Sequence, residues 1–168
     1  MSQTLYEELR ALVGTEGPVI TTVDEVCKPM IRHWCEAMQD GNPLYTDEEY
    51  ARKSSYGSII APPTMMLSWS FVPLWPPREP PHGPLDEAMD KLDKAGFTQI
   101  IITGSTQRYD RPLLPGDRVC FSYTVDKVTE EKQTALGAGH FITSTFTYKN
   151  QKGEPVGTQV LTMLKYRT

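Results

Sequence analysis

The chain has 168 residues, a net charge of −4, 39% hydrophobic residues and 23% charged ones. This suits one domain with a self-supporting core, and the lack of a basic cluster argues against a nucleic-acid partner. No apolar run approaches the ~20 residues of a membrane span, and the first residues, acidic early and without an apolar h-region, do not read as a signal peptide.

Three cysteines, Cys27, Cys35 and Cys120, have no metal-ligand spacing and cannot all pair. They read as reduced thiols in a cytoplasmic protein. Thr4 to Val13 carries an apolar stripe of Leu5, Leu9 and Leu12, which predicts a short helix ended by Gly14. Val19 to Val26 is rich in β-branched residues and reads as extended. Lys28 to Gln39 reads as a helix, with Pro29 in its first turn and Met30, Trp34 and Met38 recurring every four residues. His33 lies off that stripe and reads as a surface residue.

Asp40-Gly41-Asn42-Pro43 breaks this helix, and Asp47 or Thr46 caps a short one reaching Lys53. Ile59-Ile60-Ala61 enters the interior. Pro62-Pro63 starts a helix over Thr64 to Phe71 that is apolar almost all round, which implies that other structure wraps it. Pro73 to Pro84 holds six prolines and excludes regular structure; Trp75 favours a loop pinned against the surface. Leu85 to Lys94 reads as a charged helix.

The remainder reads as long strands: Phe97 to Tyr109, then Val119 to Val125 in strict alternation, Gln133 to Tyr148, and Val156 to Tyr166 after a hairpin turn at Asn150 to Gly153. Strands following one another in sequence suggest an antiparallel meander. The whole is an α+β pattern: residues 1–168 as a single domain, a sheet curled around a central helix, and a proline-rich loop at 73–84.

Asp40, Asn42, Pro43, Asp47, Tyr50, Ala51, Gly57, Ile60 and Ala61 match the spacing of a known hydratase motif, Asp-x-Asn-Pro-x-His with downstream Tyr-Ala and Ile-Ala. The chain resembles the MaoC-like hydratase/dehydratase family. Arg108 to Pro112, the Pro115-Gly116-Asp117 turn, Gln133 to Phe141 and the ending LKYR look like its branch related to the dehydratase domains of fatty acid synthases. Within that branch it is similar to the non-catalytic MaoC-like domain of bacterial steroid side-chain enoyl-CoA hydratases.

The resemblance implies a hot-dog fold, a curved antiparallel sheet around a long central helix. It also implies an acyl-CoA thioester as ligand, pairing with a MaoC-like catalytic subunit or with itself, and no cofactor or metal. Substrate would lie against Asp40, Tyr45, Tyr56, Ile60, Ala61, Pro62, Met65 and Trp69; Arg108 and Arg111 read equally as contacts for CoA phosphates and as ordinary surface arginines.

Hydration of an enoyl thioester needs a base to activate water and an acid for the α-carbon. In active members of this family the motif Asp and His share a water, and a glycine N–H polarises the carbonyl. Here Tyr45 stands at the His position, and a phenol with an ordinary pKa of ~10 is a poor base near neutrality. Ala61-Pro62 replaces the usual His-Gly pair, and proline has no N–H to give. Asp40, Asn42 and Tyr45 therefore read as a degenerate site with no catalytic residue. No HxxxH, CxxC or GxGxxG pattern offers a substitute.

These departures predict a non-catalytic, pocket-forming subunit of a heteromeric enoyl-CoA hydratase for a bulky acyl group, such as a steroid side chain. Two readings stay open beside it: a self-sufficient homo-oligomeric hydratase working through Asp40 and Tyr45, and a non-enzymatic acyl-CoA-binding or scaffolding module.

Overall fold

A computed structural model describes residues 4–71, 74–76 and 81–168. Helix α1 (Leu5–Arg10) opens on a reciprocal cap, in which the Thr4 hydroxyl accepts from the Glu7 N–H and the Glu7 carboxylate accepts from the Thr4 N–H. Strand β1 (Ile20–Thr21) is shorter than the β-branched run suggested. Helix α2 (Lys28–Met38) ends where Gln39 turns left-handed, at φ 54°. Two short helices follow, α3 (Pro43–Thr46) and α4 (Glu48–Lys53).

The all-apolar segment forms a 3-10 helix, Pro63–Ser70, of eight residues rather than a long α-helix. Pro62 and Pro63 on one side and Pro73 on the other leave little chain for more. Helix α5 (Pro84–Lys94) comes next. Of the expected loop at 73–84, residues 73 and 77–80 lie outside the described residues.

Trp75 does not pin that loop, since it is 83% exposed. The loop's C-terminal end is fixed instead. The Tyr123 hydroxyl donates to Asp86 at 2.7 Å, and Asp86 also accepts the Gly83 N–H at 2.9 Å. Gly83 is required there because a Cβ would overlap the Tyr123 hydroxyl.

The strands β2 (Gln99–Tyr109), β3 (Val119–Val128), β4 (Lys132–Thr134), β5 (Gly137–Asn150) and β6 (Pro155–Arg167) complete an antiparallel sheet. Its order is β1-β3-β5-β6-β2, with β4 paired to β5 alone. The sheet is therefore not a simple meander. Strand β2 pairs with β6 rather than with β3, so the 110–118 connection carries the chain from one side of the sheet to the other. The run Gln133 to Tyr148 is also not one strand. It folds back at Ala135-Leu136, where Gly137 takes φ 127°.

Two apolar clusters lie on the inner face. Met65, Met66 and Trp69 of the 3-10 helix pack over Val119, Phe121, Tyr148 and Val156. Leu9 of α1 and Ala88 and Leu92 of α5 pack with Phe97, Val125, Val128 and Ile142. This is a sheet with one face covered by helices, the α+β plan read from the sequence. Strand β2 forms the far edge, and Ile100, Ile101 and Ile102 on it are 53%, 43% and 56% exposed.

Candidate functional site

The Asp40–Asp47 segment is a chain of side-chain caps. The left-handed turn at Gln39 lets the Asp40 N–H reach the Cys35 carbonyl at 2.9 Å. Asp40 Oδ1 accepts from the Asn42 N–H at 3.1 Å, and Asn42 Oδ1 accepts from the Leu44 N–H at 3.0 Å to start α3. Asp47 Oδ1 then accepts from Glu49 and Tyr50 to start α4. Each is a local side-chain cap of the kind Asp and Asn favour. Asp40 thus braces the turn.

Tyr45 is half-buried against the first apolar cluster. Burial raises its pKa, the Asp40 charge raises it further, and the Asn42 side chain pulls the other way with a smaller effect. The net direction is up, so the phenol stays protonated near neutrality and offers even less phenolate to act as a base than free tyrosine does. Cys35 and Tyr56 also act on it electrostatically, so the fold brings Asp40, Asn42, Tyr45 and Tyr56 together. The Cys35 thiol is itself pushed up by burial, with Asp40 and Glu36 adding to it, which keeps it unreactive.

The central segment is tied to this turn. The Ile60 N–H donates to the Leu44 carbonyl at 3.2 Å, and the Ala61 N–H donates to the Leu113 carbonyl at 2.8 Å. Ile60, Ala61, Met65 and Trp69 are 1–4% exposed and belong to the core. Pro62 is buried at the start of the 3-10 helix and offers no N–H, nor does Pro63. The crevice beside them, walled by Ala61, Pro62, Met66, Tyr109 and Leu113, holds only about 10 Å³, at the lower limit for one water. Pro62, the position that the resemblance assigns to carbonyl polarisation, thus has no N–H to give and a closed space beside it.

Free space lies on the other side of the turn. A cavity of about 420 Å³, open to solvent, is lined by Leu44, Tyr50, Lys53, Ser54, Ser55 and Tyr56. Tyr56 was expected near the site from the sequence; Tyr50, Lys53 and Ser55 were not singled out as site residues. The signal for two of them was present, because Tyr50 and Lys53 are three apart and so share one face of α4.

Arg111 does not stand free for a phosphate. It ion-pairs with Asp117 at 2.5 Å and with Glu154 at 2.6 Å. Asn150 donates to both acids, and the Leu114 N–H donates to Asp117 at 2.9 Å. Arg108 is 72% exposed at its side chain and, among the described residues, pairs with Asp110 at 3.2 Å. Burial pushes the Asp117 carboxyl up, but the Leu114 N–H, Arg111 and Asn150 together outweigh it and hold the pKa low.

A folded-state pKa below the unfolded one means stability that is complete above the ordinary carboxylate range and lost as pH falls through the folded value. Asp117→Ala is expected to destabilise the fold by about 3 kcal/mol, the low end for breaking a buried pair because Arg111 stays a quarter exposed. Urea unfolding at neutral pH checks the loss. Repeating it below about pH 4 should shrink the difference between variant and parent.

The histidines have structural partners. His33 and His82 are exposed beside Glu36 and Asp90. The buried His140 has Nδ1 2.9 Å from the Thr129 carbonyl and packs edge-on against Phe97. Among the described residues no three acidic, cysteine or histidine side chains converge to hold a metal ion, and no helix is long and apolar enough to cross a membrane.

A family model described as "FAS1-like, dehydratase domain region" matches residues 11–159. The "Probable enoyl-CoA hydratase alpha subunit" of Thermomonospora curvata is 41% identical over 172 residues, covering 99% of this chain and 54% of that protein. The "3-oxo-4,17-pregnadiene-20-carboxyl-CoA hydratase alpha subunit" of Mycobacterium tuberculosis is 39% identical over 138 residues, covering 81% of this chain and 44% of that one. This chain spans about half the length of these curated relatives.

A chain in the crystal structure of the ChsH1-ChsH2 complex from Mycobacterium tuberculosis superposes with a TM-score of 0.87 at 33% identity, over 97% of this chain and 96% of that one. The (R)-hydratase from A. caviae shares the fold alone, at TM-score 0.61 and 17% identity over 93% and 96% of the two chains. The sheet, its helix-covered face and these likenesses agree: the chain has the hot-dog fold and belongs to the MaoC-like family of FAS1-like dehydratase-region proteins.

Proposed function

We propose that this chain is the non-catalytic subunit of a heteromeric enoyl-CoA hydratase, forming part of the acyl-CoA pocket for a bulky thioester such as a steroid side-chain enoyl-CoA. The observation that carries this reading is Tyr45. It occupies the motif's base position with its pKa raised by burial and by Asp40, while Asp40 is engaged in the turn. The imidazole that shares the water with the motif Asp in active relatives has no counterpart here.

Two further features support a partner. Among the described residues, strand β2 presents an unpaired edge with three exposed isoleucines, a surface that calls for a neighbouring strand. In the hot-dog pairing that the family resemblance implies, two sheets join edge to edge. The two hydratase relatives are named as alpha subunits, and one of them carries a steroid acyl-CoA in its name. That name is the support for a bulky ligand.

The test is complementation. The purified chain is mixed with a MaoC-like subunit that keeps Asp-x-Asn-Pro-x-His, and hydration of a steroid side-chain enoyl-CoA is followed. The mixture is expected to turn over well above the partner alone; no gain on mixing would count against the reading.

A further inference from the structure

We propose that the open cavity between α3 and α4 binds the adenosine 3′-phosphate end of the CoA thioester. The choice of CoA as ligand rests on the function proposed above; the location and the residues rest on the cavity itself. At about 420 Å³ it falls within the range of small-ligand sites, and it is open rather than enclosed. An acyl chain gains most from a closed apolar tunnel. This cavity instead offers two half-exposed aromatic rings, Tyr50 at 54% and Tyr56 at 44%, with Leu44 as an apolar wall and Lys53, Ser54 and Ser55 as polar ones. Flat π-faces suit a base, and a lysine suits a phosphate as a point charge.

The cavity is held in shape by local bonds. Ser54 Oγ donates to the Ala51 carbonyl at 2.6 Å and accepts the Tyr56 N–H at 3.2 Å. Gly57 follows at φ 68°, a turn that fixes where Tyr56 leaves the loop. Tyr50 and Lys53 are set by the Asp47-capped helix. Lys53 pairs with Glu49 at 2.7 Å, but both side chains are at least three-quarters exposed. Such a pair is weak, and a dianionic phosphate displaces it.

The cavity also adjoins the motif. Leu44 lines it, and Tyr45 is the next residue. A nucleotide seated there lies beside the degenerate turn. Arg111, by contrast, is engaged by Asp117 and Glu154 and leaves no comparable site.

The experiment is calorimetric titration of the purified chain with adenosine 3′,5′-bisphosphate, which carries the 3′-phosphate but no acyl group. Saturable binding is expected, weakened about tenfold or more by Lys53→Glu and by Tyr56→Ala, and restored by Lys53→Arg. Lys53, Tyr56 and Arg108, the positions substituted, all lie on the surface, and circular dichroism checks that each variant folds. The proposal is overturned if the parent chain shows no saturable binding. It is also overturned if both variants bind like the parent, or if Arg108→Ala abolishes binding while they do not. None of these readouts needs a partner subunit, so their failure is separable from a failure of complementation.

Discussion

Asp40→Asn, assembled with a catalytic partner, is expected to hydrate enoyl-CoA within about threefold of the parent rate, whereas the same change at the partner's motif Asp should remove about 10²- to 10⁴-fold. The asymmetry follows from what each carboxylate does. Asp40 accepts one hydrogen bond from the Asn42 N–H, and an asparagine oxygen accepts it equally well. The turn, α3 and the Leu44–Ile60 bond should all survive. Beside it Tyr45 is already protonated, so no proton relay is broken. Steady-state rates of the two complexes decide the matter. A loss of two orders of magnitude from Asp40→Asn would show that this half-site does chemistry.

Ile102→Lys is expected to prevent assembly of the heteromer while leaving this chain folded. Ile102 is 56% exposed on the edge strand, so the substitution should change the stability of the free chain by no more than about 0.5 kcal/mol. At a paired edge the same lysine removes the burial of an isoleucine and adds a desolvated charge, which should weaken association about 100-fold or more. Lysine is a residue that natural edge strands use to refuse pairing. Light scattering and titration of the two subunits read the effect. Val19→Lys, next to β1 at the opposite edge of the sheet, is the matched control. Equal loss from both variants would mean that charge in general, rather than the β2 edge, disrupts the complex.

Much of this architecture is local and therefore legible in the sequence. Helix α2 follows from its four-residue apolar spacing and from Pro29 in its first turn. Helix α4 follows from Asp47, and β3 from strict alternation. The features that were not legible depend on distant parts of the chain. Which strand neighbours β2 is decided across the sheet, by the 110–118 connection, and no local pattern in residues 99–109 encodes it. The β4–β5 turn escaped because its one special residue, Gly137, sits inside a run with ordinary strand character. The 3-10 geometry of Pro63–Ser70 escaped because an all-apolar segment has the same composition in either helix.

The candidate site divides in the same way. Asp40, Asn42 and Tyr45 declare themselves by spacing, and the structure brings them together with Tyr56. The cavity does not declare itself, because it arises where the end of α4 and the loop after it fold against Leu44. Arg111 shows the reverse case. Its residue type suggested phosphate, while Asp117 and Glu154, six and 43 positions away, make it part of a structural network.

Turnover by the purified chain alone tests the central claim most directly. Hydration of a steroid side-chain enoyl-CoA and of a short trans-2-enoyl-CoA would be followed by loss of the enoyl absorbance at high enzyme concentration. With Tyr45 at the position the resemblance assigns to the base, and Pro62 at the one it assigns to carbonyl polarisation, the chain is expected to give the uncatalysed rate with both. Robust turnover that Tyr45→Phe abolishes would contradict the account and make Tyr45 a working catalytic group.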